Sequence, residues 1–144
     1  MRFLSVLALF CLSLPALAGG FYIELGTPSA SKDGLAKDAF VVARLTGCHQ
    51  PERGTLTATA EGIVNGKRQT ITAKVTPLST PGMFAVAQTW PTEGTWMLHL
   101  AATHPEWNVA TSTLVKVDAK SFVRASAKMA NRSATKSEIE SFLH

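Results

Sequence analysis

The stretch Leu56-Thr57-Ala58-Thr59-Ala60-Glu61-Gly62-Ile63-Val64-Asn65-Gly66-Lys67-Arg68-Gln69-Thr70-Ile71-Thr72-Ala73-Lys74-Val75 decides the fold class. Asn65-Gly66 stands between two runs rich in β-branched residues. A type I′ turn needs positive φ at both central positions, and Asn-Gly meets that need better than almost any other pair. The outgoing arm, Lys67 to Val75, alternates Ile71, Ala73 and Val75 with Thr70, Thr72 and Lys74. One covered face and one wet face is the mark of an antiparallel sheet. The stretch therefore predicts a β-hairpin.

Working outward, the same grammar of short apolar runs between turn residues continues on both sides. Upstream lie Phe21 to Leu25, a polar loop over residues 26–38, and Ala39 to Thr46. Downstream, Pro81-Gly82 leads into Met83 to Trp90, and Pro91-Thr92-Glu93-Gly94 leads into Thr95 to Thr103. In the latter, Trp96, Leu98 and Leu100 share one face while Met97, His99 and Ala101 share the other. Val109 to Val117 closes the series. Seven strands with turns every 8–12 residues predict an all-β, immunoglobulin-like antiparallel β-sandwich over residues 19–118. No 3.6-residue apolar period occurs before Asp118, and a small barrel is the structural competitor.

The two ends differ from this middle. Arg2, the apolar run Phe3 to Leu14, Pro15 and Ala16-Leu17-Ala18 follow the order of a cleavable secretory signal peptide, residues 1–18. The run is about a dozen residues, short of the roughly 20 a spanning helix needs. Cleavage is expected to leave 126 of the 144 residues and a single cysteine, Cys48. The expected destination is secreted or periplasmic, with no membrane span after cleavage. Thirteen basic and ten acidic residues then remain, a balance too mild to predict nucleic-acid binding. Residues 119–144 read as a basic arm followed by a short helix. Thr135-x-x-Glu138 is a capping box, and Ile139, Phe142 and Leu143 form one side of the helix. So short a helix is marginal alone, so it docks on the sandwich or awaits a partner.

The run Pro81-Gly82-Met83-Phe84-Ala85-Val86, continued by Trp90-Pro91-Thr92-Glu93-Gly94-Thr95-Trp96-Met97-Leu98, resembles the exported immunoglobulin-like domains called YtkA-like or FixH-like. The resemblance covers roughly Phe40 to Thr111. Its motifs are mostly fold motifs, since Gly-x-Trp after a tight turn is a packing solution common to many sandwiches. What it implies is the fold and, through family members that handle copper or assemble membrane complexes, an envelope role. It carries no ligand set across residue by residue.

The residues with metal-binding chemistry are Cys48, His49, Met83, Met97, His99 and His104. Sulfur and imidazole donors together suit copper, above all Cu(I). Met97 and His99 are two apart on a strand, hence on one face and about 7 Å apart at the backbone. Met83, on the next strand, is expected to face them across a hairpin. Met97, His99 and Met83 are thus the candidate metal ligands, weighed against ordinary packing. Cys48 reads as a buried, inert thiol, with a reactive or interchain-paired thiol as alternatives. Trp107 reads as core, with an exposed contact residue as the alternative. No Gly-x-Ser-x-Gly, His-Glu-x-x-His, phosphate-binding loop or calcium loop occurs, and the acids form no obvious pair. The expectation is a non-enzymatic exported domain that binds a protein partner at the cell envelope and needs no cofactor. The alternative is a copper-binding or copper-delivery protein of the YtkA-like type.

Overall fold

A computed structural model describes residues 20–144; the expected signal peptide lies outside the described residues. The described residues form nine strands and one α-helix. The strands are β1 (Phe21–Gly26), β2 (Val41–Gly47), β3 (Thr55–Val64), β4 (Lys67–Thr72), β5 (Val75–Pro77), β6 (Met83–Val86), β7 (Thr95–Thr103), β8 (Ala110–Val117) and β9 (Lys128–Ala130). The helix is α1 (Lys136–Leu143). Two antiparallel sheets result, with orders β1-β2-β6-β5 and β4-β3-β7-β8-β9. The first is the A-B-E-D order of an immunoglobulin-like sandwich, and the second is C′-C-F-G extended by one strand. The all-β sandwich expected from the turn spacing is what the chain forms.

The Asn65-Gly66 hairpin joins β3 to β4, with Val64 opposite Lys67 and both turn residues at positive φ. The arm after it is not one strand. After Thr72 the chain leaves the five-stranded sheet. The Ala73 N–H still bonds the Ala58 carbonyl, but Lys74 already bonds Ala87 of the other sheet. Alternation along Lys67 to Val75 survives this crossing because each half keeps its own inward face, so the period conceals the change of sheet.

Between the sheets lie Phe21, Ile23, Val41, Ala43 and Leu45 from one side, and Leu56, Ala58, Trp96, Leu98, Leu100 and Val115 from the other. Trp96 follows Gly94, whose φ of +93° makes the turn into β7. The indole N–H donates to the Glu93 carbonyl at 2.8 Å. Its ring lies over Gly62, where a Cβ would overlap it. Trp90 packs edge-on against Phe40, 5.0 Å between centroids.

Residues 119–144 belong to the sandwich. β9 pairs with Ser112 to Leu114 of β8. α1 then lies on the outer face of the five-stranded sheet, where Phe142 and Leu143 are buried against Met97 and Leu114. The Lys116 and Lys128 ammonium groups stand 5.9 and 5.4 Å from the centre of the Phe142 ring. Arg68 of β4 reaches Glu140 at 3.1 Å.

The capping box is complete. Thr135 Oγ1 accepts from the Glu138 N–H, and the Glu138 carboxylate accepts from the Thr135 N–H at 2.8 Å. Hydrogen bonds from Arg132, then from Thr135, hold the Glu138 carboxyl at about 2, below its ordinary 4.5. A carboxylate depressed in the folded state contributes stability that is whole above its unfolded value and is lost as pH falls through the folded one. α1 therefore stays capped at pH 4 and loses this support near pH 2, a change that amide exchange of Ile139 to Leu143 will report.

Candidate functional site

At the end of the sandwich where β2, β3, β7 and β8 turn, two loops meet over the start of β1. The β2–β3 loop leaves the sheet at Gly47, whose φ of +128° bends the chain outward. His49 and Gln50 then both adopt left-handed backbone, at φ +64° and +56°. Each such L-residue costs roughly 1–2 kcal/mol, so this loop conformation is held by something outside it. The β7–β8 loop carries a further left-handed residue, Asn108 at +45°.

His104 supplies much of the hold. The residue is buried, and both ring nitrogens are engaged. Nδ1 accepts the Glu106 N–H at 3.2 Å. Nε2 must then carry the proton and donate to the Gln50 carbonyl at 3.0 Å. One neutral imidazole thus ties the strained loop to its neighbour. Arg53 adds a 2.6 Å ion pair to Glu106, about half exposed on both sides and so worth little alone.

These loops and the first residues of β1 enclose a cavity of about 350 Å³ lined by Gly20, Phe21, Cys48, His49, His104, Trp107, Val109, Ala110 and Asn131. Its lining is mainly aromatic and aliphatic. Phe21 meets the His104 ring edge-on at 6.1 Å. Trp107 lies 4.7 Å from His49 and 6.4 Å from His104, centroid to centroid. Yet Trp107 is 51% exposed and Val109 41%. A large aromatic side chain is thus held in place at a cavity mouth without being buried by the fold, contrary to its reading as core. Cys48 is also exposed, because the turn at Gly47 carries it off the strand.

The three sequence candidates for metal do not converge. Met97 and His99 share the outer face of the five-stranded sheet, as the strand period requires. Met97, however, is sealed beneath α1. Burial lowers the His99 pKa, Glu61 opposing, and its Nε2 is buried without a hydrogen-bond partner. Met83 sits on β6, in the other sheet, packed with Val42 and Ala85 on that sheet's outer side. β6 and β7 follow one another in sequence but are not a hairpin; residues 87–94 cross between sheets. Met83 and Met97 therefore lie on opposite exteriors of the sandwich and do not fit one copper ion. Among the described residues, no three His, Cys, Asp or Glu side chains are grouped to hold a metal. His104, with both nitrogens engaged, is not a free ligand.

No protein-family model, curated protein or solved structure matches the chain. The site must be read from its own chemistry. The cavity joins residues near 20, 48, 104 and 131, and of these Cys48, His49, His104 and Trp107 stood out in the sequence as candidate ligand or contact residues. Phe21 and Val109 carried no distinguishing signal.

Proposed function

We propose that this chain is an exported, non-enzymatic β-sandwich domain that binds a protein partner at the cell envelope, through the loop end around Trp107. The observation that carries this reading is an exposed tryptophan fixed beside an apolar cavity. Interface hot spots are enriched in tryptophan and form where a ring enters or flanks a desolvated pocket. Strained backbone at His49 and Gln50 fits the same reading, since such strain gathers at binding sites. The two loops are those between strands B and C and between F and G, which variable domains use for binding; this is an analogy of fold. Export rests on the signal-peptide pattern. Copper delivery, the other reading, has no assembled ligand set to rest on among the described residues.

The test is site-directed photo-crosslinking in the exporting cell, with the photoreactive residue at position 109, at the same cavity, and, as control, at 35. Leu35 is exposed like Val109 but lies on the connection at the opposite end of the sandwich. A discrete heavier adduct from position 109 alone is expected. Trp107→Ala is expected to weaken that complex by about 30-fold, the scale of a 2 kcal/mol hot spot. No adduct at 109, or the same adducts at 35, would refute the reading.

A further inference from the structure

Four rings from three separate parts of the chain line the loop-end cavity. Phe21 opens β1, His49 lies on the β2–β3 loop, and His104 and Trp107 lie on the β7–β8 loop. They form a connected run, with centroids 6.1 Å apart from Phe21 to His104, 6.4 Å from His104 to Trp107 and 4.7 Å from Trp107 to His49. The planes meet at 88°, 47° and 51° in the same order. None of these pairs is stacked face to face. The rings therefore stand as walls set at angles around a space, rather than as one closed stack. Rings so placed can receive a further ring in the edge-on and offset contacts that aromatic pairs prefer.

The lining holds no opposite charge for a charged guest. Among the described residues, no Asp, Glu, Lys or Arg belongs to it. His104 does, but its two nitrogens are spent on the Glu106 N–H and the Gln50 carbonyl, so it offers the cavity only ring surface. The charged residues next along the chain are matched with each other, Arg53 with Glu106 at 2.6 Å and Arg132 with Glu138 at 2.6 Å. A charged side chain entering here gives up its hydration without a compensating partner. Rings can attract a cation through their faces, but no acid at the cavity assists it, and the chain as a whole is basic, with a net charge of +4. The volume of about 350 Å³ suits a single large side chain.

We propose that this cavity is an anchor pocket, filled by one uncharged aromatic side chain that the partner inserts beside Trp107. This rests on the reading of the loop end as a protein-binding site and names what the partner brings to it. Burial alone would reward an aliphatic anchor as well. An aromatic anchor gains in addition the ring contacts that the angled walls offer. Trp107 and Val109, both exposed at the cavity, are placed to meet the partner's surface around the anchor.

The experiment is an NMR titration of the mature protein, followed at its backbone amides, with N-acetyl amides of single amino acids as probes. The tryptophan probe is expected to bind saturably with a Kd of about 1 mM, within the efficiency ceiling for a ligand of its size. It is expected to shift the amides of Phe21, Cys48, His49, Val109 and Ala110, which line the cavity. The leucine probe is expected to bind about fivefold more weakly, the scale of one aromatic pair, and the lysine and glutamate probes not measurably. Trp107→Ala is expected to weaken the tryptophan probe about fivefold. Val109→Asp, which sets a carboxylate on the wall at an exposed position, is expected to abolish its binding. Three results would each overturn the proposal: no saturable shift with the tryptophan probe, equal binding of the leucine or lysine probe, or shifts spread over both sheets. Saturable aromatic binding without a crosslink from position 109 removes the protein-partner reading and leaves the pocket's preference in place. A crosslink without aromatic binding does the reverse.

Discussion

Deletion of residues 131–144 lowers the unfolding free energy of the mature domain by about 3–6 kcal/mol, counting only the burial of two large apolar side chains. Those are Phe142 and Leu143, which the deletion removes from the outer face of the five-stranded sheet. Met97, now wholly buried, and Leu114 are bared in the same step. The hydrogen bond from Ser112 Oγ to the Arg132 carbonyl and the Arg68–Glu140 pair go too. Domains of this size have 5–15 kcal/mol in all, so the truncated chain is expected to be barely folded at 37 °C. Urea denaturation of the two proteins measures it. A loss below about 1 kcal/mol would mean that the helix merely rests on the sheet. Phe142→Ala alone is expected to cost about 3 kcal/mol, which separates lost packing from lost chain.

The second large effect is at Trp96. Trp96→Ala is expected to cost about 3–5 kcal/mol, because a fully packed ring leaves a cavity that the strands cannot collapse into. Gly62→Ala is expected to cost about 1–3 kcal/mol for the opposite reason, since its methyl group enters space the ring already fills. The two must then be non-additive. In the Trp96→Ala background, Gly62→Ala fills part of the vacated space and replaces a strand glycine, so its cost falls to nothing or reverses. A double-mutant cycle is expected to give a coupling of about 1–3 kcal/mol. Strict additivity would place the ring elsewhere than over Gly62.

These two results bear on how much of the molecule was legible in its sequence. Turns and caps were, because each depends on a few adjacent residues. Asn65-Gly66, the glycines at 82 and 94 and the Thr135–Glu138 box all sit where their backbone chemistry requires. Which face of a strand turns inward was also legible, as Trp96, Leu98 and Leu100 show. Which sheet a strand joins was not. Alternation is identical in either sheet, so Lys67 to Val75 read as one arm and Met83 as a neighbour of Met97. The basic arm hid a strand because β9 needs only three residues, and its pairing with β8 is set by the partner rather than by its own composition. The loop-end cavity was least legible. It gathers residues separated by more than a hundred positions, and the atom that His104 binds there is a backbone carbonyl, which every residue has.

That carbonyl bond has a kinetic meaning. Gln50 and Glu106 belong to loops more than fifty positions apart, yet one imidazole holds both. The loops are therefore tied to one another, and Trp107 is carried on the tied pair. A partner of the kind proposed would meet loops already tied together, so less of the entropy of ordering them opposes association. Preorganisation of this kind is expected to give fast, simple, single-step binding, with no conformational phase preceding it.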